Sequence, residues 1–455
     1  MSLVISHKSY TIALLLAFPL LAGFGCKGAP KEVRQATQPT TLNYWRVTDG
    51  SDAFQDIIQG YRAKHPNITI NYRQLRFEEY EYELLNALAE DRGPDVFALP
   101  NTWLGKYENK IAPLPATLKV PATVVTGTFK KETKTVLQTK VALSANDVRQ
   151  KFVETVAKDV VRDGKVVGLP LSVDTLALYV NRDLLNQAGI AEVPRDWNSF
   201  AEAVKKLTRS DSSNKIIQAG AALGRSDNVE RAVDILSLLM MQNGAKMVSD
   251  DGRQTTFQLP EPKTNSNPGL QALQFYTDFA NPAKEIYTWS ADLPPALEAF
   301  LQGRVAFYFG YAYHLPIMVG RAPKLNLVIA NVPQVVNATR SVNYADYWVE
   351  TVSQKTKYPN EAWDFVQYAA TEQVKSYLTK AKKPTALRSL INDQKQDVDM
   401  SVFAEQLLTA SSWYRGKDGV VMTTALRQLI ETMNKGETLP MDALNAAAQK
   451  VQRTL

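Results

Sequence analysis

The chain is 455 residues long, with 52 lysines and arginines, 46 acids, three histidines and one cysteine. That length is too great for one ordinary core and predicts two or three units; the lone cysteine excludes any internal disulfide, so packing alone must hold the fold. His7, His65 and His314 cannot make a histidine-rich metal site, and a net charge of +6 with both signs mixed throughout offers nucleic acid no basic stripe, the best local candidate being 119–140.

The N-terminus reads as an address. Lys8 lies in a polar start, residues 11–24 (TIALLLAFPLLAGF) are apolar, and Gly23 and Gly25 flank the end just before Cys26. This is the layout of a secretory signal. It resembles a bacterial lipoprotein signal, which implies a signal peptide over 1–25 and lipid attachment at Cys26. The match departs at Gly23, where the usual pattern has Leu. An uncleaved anchor, or a secreted protein with a free thiol, are the alternatives. Pro19 breaks the short run and disfavours a spanning helix. Residues 26–40 are polar, contain proline and have no period, the composition of a flexible tether.

From 41 the chain alternates. Residues 41–47 (TLNYWRV) predict a strand. Phe54, Ile57, Ile58 and Tyr61 at helical spacing predict a helix over 53–65, with Ser51 or Asp52 near its cap and Pro66 as its stop. A strand at 68–72, a helix at 78–89, the break Gly93-Pro94 and a strand at 95–99 follow. This order signals a largely parallel sheet flanked by helices. Residues 115–142, rich in Thr, Lys and Val, predict an inserted β-hairpin with a basic, solvated face; a docking surface is its functional alternative. The α/β pattern resumes at 166–181 (VVGLPLSVDTLALYVN), as a strand pair or a crossing strand. Helices are predicted at 183–188, after Asp196 to Leu207, and at 229–243, 270–280 and 294–302, with strands at 305–309 and 325–330. After Lys355 the pattern is almost all helical: 360–370, 371–380, 402–410, 420–434 and 440–451. No fixed-period repeat stands out.

Six segments in this order carry a family resemblance: NYWRVTDG (43–50), GPDVFALPNTWLGKY (93–107), GLPLSVDTLALYVNRDLLNQAGI (168–190), the spaced Pro194 and Trp197, AFLQGRVAFYFG (299–310) and EAWDFVQY (361–368). Together they resemble the extracellular solute-binding proteins of ABC importers, in the carbohydrate-binding group that includes the maltodextrin binders. The resemblance covers essentially everything after residue 40. It implies an α/β, two-lobed periplasmic-binding-protein fold with discontinuous lobes, a hinge and a helical C-terminal portion. The expected lobes are 41–150 plus 305–350, and 165–304 plus 355–455. Lobe closure would trap a ligand in the cleft, and the closed form would dock on a membrane permease. The resemblance implies no enzyme activity, no cofactor, no metal, a sugar or oligosaccharide ligand, a monomer, and a place on the outer face of the cell membrane.

A sugar cleft needs aromatic faces for C–H patches and acids or amides for hydroxyls. Parallel sheets put such groups on loops at the C-terminal ends of their strands. Trp45, Thr48 and Asp49 leave the first strand at such an end. By resemblance Thr48 and Asp49 hold hydroxyls; otherwise Trp45 packs and Asp49 caps the next helix. Asn101, Thr102 and Trp103 follow the third strand, and Thr102 stands where a relative has a ligand-binding acid, a departure. The alternative is a turn with a partly buried indole. Asp174 aligns with an acidic sugar ligand; otherwise it pairs with an arginine, Arg46 or Arg231. Tyr311 and Tyr313 lie where relatives place a stacking ring. Trp348, Trp289 and Trp413 are further candidates, each with a core role as its alternative, and at least two of the late aromatics are expected to line the cleft. A late-helix stacking Trp of the maltodextrin binder is Thr423 here, a second departure. Three rivals remain: a secreted carbohydrate-active enzyme, for which no acid pair stands in a recognisable setting, a binder of a non-sugar solute on the same scaffold, and a ligand sensor feeding a membrane receptor. No P-loop and no Gly-x-Ser-x-Gly elbow occurs.

Overall fold

The computed structural model describes residues 33, 37–127, 131–262 and 264–455. The expected signal peptide, Cys26 and most of the expected tether lie outside the described residues.

The predicted alternation becomes a four-stranded sheet. Thr40–Val47 runs parallel to Ile68–Leu75 on one side and Val96–Pro100 on the other, and Trp348–Val352 closes the far edge antiparallel to Val96–Pro100. The crossovers are the helices Ser51–Lys64 and Phe77–Ala89. The central strand Val96–Pro100 is apolar and almost wholly buried because helices cover both of its faces. A second sheet runs in the order Arg209–Ser210, Ile216–Ala221, Val305–Gly310, Ala177–Asn181, Leu327–Ala330. Its two central strands, VAFYFG and ALYVN, are buried at every position.

Each sheet has its own hydrophobic core, and the cores divide the chain. The first takes residues up to Val173 and again from Ala345 to Ala410. The second takes Leu176 to Tyr344, Met400 and Phe403, and again from Trp413 onward. The division differs from the expected one at three places. Residues 165–173 were expected in the second lobe, but Val166, Leu169, Leu171 and Val173 pack into the first core. Residues 305–330 were expected in the first lobe, but Val305–Gly310 pairs antiparallel with Ala177–Asn181 and Leu327–Ala330 flanks that same strand. The helices Pro359–Gln367 and Val374–Ala381 were expected in the second lobe, but Trp363, Phe365 and Tyr377 pack into the first core. Partners far apart in sequence decide all three cases, and local pattern does not carry them.

The chain passes between lobes three times, and the three passes form a small sheet. Asn343–Asp346 is its centre, with Asp174–Thr175 antiparallel on one side and Ala410–Ser411 parallel on the other. Thr117–Thr126 and Glu132–Val141 form the predicted hairpin. Leu118 and Val120 are buried on its inner face, beside Pro359–Gln367, while Lys119 and Lys131 face solvent.

The lobes also touch beside the hinge. A Cβ on Gly105 would lie 2.2 Å from the carbonyl oxygen of Gly416, so two glycines let the backbones meet. Gly105→Ala is expected to force this contact apart at a cost of about 1–3 kcal/mol. Small-angle scattering should read a larger radius of gyration; an unchanged radius and midpoint would show that the contact is dispensable.

Candidate functional site

The hinge sheet supplies a floor. Asp174 and Asp346 are directly opposed in the antiparallel pair, so their carboxylates share one face. Thr175 and Ala345 point to the other face, where Thr175 meets Phe403 and Gln406. Asp174 is 8% exposed. Its Oδ1 accepts the backbone N–H of Thr175 at 2.9 Å and of Ala312 at 3.0 Å, so neither expected arginine partner bonds to it. Burial pushes its pKa up to about 7 against those bonds.

The second lobe supplies one wall. Arg231 precedes the helix Ala232–Gln242, and Asp234 lies in that helix's first turn. The loop after Val305–Gly310 carries Tyr311 and Tyr313. The guanidinium of Arg231 lies over both rings, 5.1 Å from the Tyr311 centroid and 5.4 Å from that of Tyr313. It also donates to the Tyr313 hydroxyl and lies 3.6 Å from Asp234 and 3.9 Å from Asp346. Tyr311 donates to Asp234 at 3.0 Å. Tyr311 is wholly buried, and Arg231 occupies the face on which a sugar was expected to stack. Tyr313 is half-buried, lies under the same guanidinium, and has the His314 ring stacked on it with centroids 4.1 Å apart.

His314 supports this loop. The Tyr311 N–H donates to its Nδ1 at 3.0 Å, which leaves the ring proton on Nε2, 3.1 Å from the Tyr308 hydroxyl. Protonation would set N–H against N–H. Burial, and then the charge of Arg231, lower its pKa to about 3. The stability contributed by the neutral ring is present above the unfolded value of about 6.5 and is lost as pH falls toward 3. Thermal unfolding from pH 8 to 4 should show a loss of about 3 kcal/mol that His314→Gln flattens; identical slopes would remove His314 as the cause.

The first lobe supplies the other wall, and here Asp49 differs from expectation. Arg46 Nε donates to Asp49 at 3.0 Å, Tyr377 donates at 2.8 Å, and Lys383 bridges both carboxylate oxygens at 2.7 and 3.0 Å. Burial raises the Asp49 pKa, but Arg46 and Lys383 outweigh it and hold the group below the ordinary carboxylate value. Lys383 is the weaker cation, since burial lowers its pKa and Arg46 repels it. Asp49 is thus saturated by its own chain and does not cap the next helix, whose cap Gly50 has no side chain to offer. Thr48 is exposed in the left-handed region at φ 69°.

Asn101 is likewise engaged. Asp159 Oδ2 accepts from Asn101 at 3.2 Å, Tyr347 at 2.6 Å and Ser412 at 2.5 Å, and Arg415 lies 3.0 Å from its other oxygen. This node ties the end of the third strand to two hinge passes. Thr102 is half-buried against Gly419 at the start of the helix Gly419–Lys435, so it sits at the lobe junction. Trp103 is buried, stacked on Tyr107 with centroids 6.2 Å apart. Trp348 is half-buried, edge-on to Phe77 and Tyr80. Trp45 is half-buried beneath the guanidinium of Arg73.

Trp289 and Trp413 belong to the second core. Each is buried with its indole N–H bonded inside the lobe, to Asn228 at 2.9 Å and to Ser237 at 3.1 Å. Asp234, Asp346 and Lys383 were missed in the sequence. An acid inside the apolar run AVDILSLLMM, and the alternation Tyr344, Asp346, Trp348, were available signals; Lys383 had none. Two cavities of about 490 and 830 Å³ lie at Ser226–Lys450 side chains and beside Pro194, Asn331 and Thr409, and neither contains Asp174 or Asp346. The site is therefore defined by its polar groups and not by cavity size. Among the described residues no group of three His, Cys, Asp or Glu side chains is placed to hold a metal ion.

Two lobes on a three-strand hinge can open and shut on a solute lying against that hinge, which makes the molecule a two-lobed solute-binding protein. The model of the bacterial extracellular solute-binding protein family matches residues 45–376, and the chain belongs to that family. The galactooligosaccharide-binding protein of Bacillus subtilis is 20% identical over 450 residues, 97% of this chain and 96% of its own length. A binding protein of Brucella abortus is 22% identical over 161 residues, 35% of this chain, and the match spans about a third of that relative, 33%. A receptor from Streptomyces glaucescens, solved unliganded and with acarbose, superposes with a TM-score of 0.69 at 18% identity, covering 91% of this chain and 98% of the receptor. Among the described residues no helix is long and apolar enough to cross a membrane.

Proposed function

We propose that the chain is the extracytoplasmic solute-binding subunit of an ABC importer, and that it closes on a sugar or oligosaccharide against the hinge floor and delivers it to a membrane permease. One observation carries the reading: the opposed carboxylates of Asp174 and Asp346 stand where three chain passes join the lobes. A ligand bonded there touches the hinge itself, so binding and closure are one event. Tyr313, Trp348 and Thr102 are the side chains proposed to complete the contact. The relatives named above support a saccharide as cargo. The protein acts as a monomer, performs no chemistry on its cargo, and is held at the membrane by lipid on Cys26.

A thermal-shift screen over mono- and oligosaccharides, with product analysis, tests the reading. A ligand at a hundredfold excess over its Kd should stabilise the protein by about 2.7 kcal/mol with no product formed. Turnover would make the protein an enzyme, and a shift with non-sugar solutes alone would replace the cargo. Cys26→Ala should release the protein from the membrane fraction; retention there would refute lipid anchoring at that residue.

A further inference from the structure

The charges around the hinge floor do not balance. Asp234 and Asp346 share a single guanidinium, that of Arg231, and Asp174 stands directly opposite Asp346. Like charges directly opposed across a strand pair are destabilising, and Asp174 and Asp346 are so opposed. Arg231 does not relieve both. Its ion pairs are long, at 3.6 and 3.9 Å to Asp234 and Asp346; it also donates to Tyr313, and its Nε is buried without a partner. The cation whose charge reaches Asp174 is Lys383, and it is bound by both oxygens of Asp49. Arg46 is held by Asp49 and Glu350. The first-lobe wall is therefore neutral within itself, and the floor keeps an excess of negative charge.

That excess is open to a ligand. Asp174 Oδ1 takes both backbone N–H groups, and no described residue donates to its Oδ2. The Asp346 side chain keeps 39% of its exposure. Burial raises the pKa of all three acids, so each carries its charge at a cost that a cation would offset. A bare metal ion does not fit, because the acids do not converge on a metal position. The matching cation is one carried on a larger skeleton, beside the half-buried Tyr313 ring.

On the reading that this cleft binds saccharide, we propose that its cargo is an amino sugar with a free, protonated amine, and that the ammonium sits between Asp174 and Asp346. A neutral sugar leaves the carboxylates opposed. A uronic acid adds to the repulsion.

The test uses the full chain and matched probes. Glucosamine, glucose, N-acetylglucosamine and glucuronic acid, and the β-1,4 disaccharides of the first three, differ in the group that the floor would meet. Calorimetry at a pH where the amine is protonated should give the free amine a Kd about tenfold or more below that of its hydroxyl and acetamido counterparts. Asp346→Asn should collapse that ratio toward one, read as a ratio within one folded variant. Equal or tighter binding of the neutral sugars would overturn the amine and leave the sugar-binding reading standing. Binding of no saccharide in either series or in the wider screen would overturn both.

Discussion

Arg46→Met should destabilise the first lobe by about 3–5 kcal/mol, lowering its unfolding midpoint by on the order of 10 °C. Arg46 is 1% exposed and is the hub of a buried network. It donates to Asp49 at 3.0 Å and to Tyr377 at 2.9 Å, and pairs with Glu350, which also accepts from Tyr44 at 2.8 Å. These partners come from the first strand, its exit loop, the return strand Trp348–Val352 and the helix Val374–Ala381. Two cations, Arg46 and Lys383, balance two anions, Asp49 and Glu350. Methionine keeps much of the volume but leaves Glu350 buried without a cation, and that orphaned charge is the larger part of the loss. The network's geometry makes a further demand. Glu350→Leu added to Arg46→Met should recover part of the stability, because removing both members of a buried pair costs less than removing one. Additive losses in the double variant, read by thermal and urea unfolding, would show that the two groups do not act as a pair. Acid should act on the same network. Asp49 contributes stability above its unfolded value of about 3.8, and this is lost as pH falls below that through its depressed folded value.

The network also shows why some of the molecule was legible in the sequence and some was not. The alternation from 41 to 99 is local: each strand and helix announces itself by period and punctuation, and the first sheet follows. The hairpin at 115–142 was legible for the same reason. The lobe assignment of 305–330 was not, because strand VAFYFG carries no mark of its partner, and its pairing with ALYVN spans more than a hundred residues. The site divides in the same way. Asp174 stood out as an acid inside an apolar strand, and it lies on the floor of the hinge. Asp49 stood out equally, yet a lysine and a tyrosine more than three hundred residues later saturate it. Trp289 and Trp413 illustrate the same limit: an aromatic in a loop and an aromatic in a core look alike until the packing is known. What the sequence could not carry was which side chains meet, and it is the meeting that decides whether an acid holds a ligand or its own chain.

Asp174→Asn should oppose function and stability in one substitution. Asparagine keeps the acceptor oxygen that receives the N–H groups of Thr175 and Ala312, at 2.9 and 3.0 Å, so the hinge geometry is expected to survive. It removes the charge that makes a strong bond to a ligand donor. A charge-assisted bond is worth roughly 1.5–3 kcal/mol, so saccharide affinity should fall about ten- to a hundredfold. Stability should move the other way. Because burial raises the Asp174 pKa to about 7, the native protein holds a proton there that the unfolded chain has released between pH 3.8 and 7. The wild type therefore pays in stability above pH 7 and is relieved as pH falls toward 3.8. The variant has nothing to titrate, so its unfolding midpoint should exceed that of the wild type at pH 8 and converge with it near pH 4. Calorimetric titration and unfolding scans across that range read both effects in one preparation. Unchanged affinity would remove Asp174 from the site. A variant less stable at pH 8 would mean that the carboxylate holds the hinge together in its own right, and that the opposed acids are structural and not poised for a ligand.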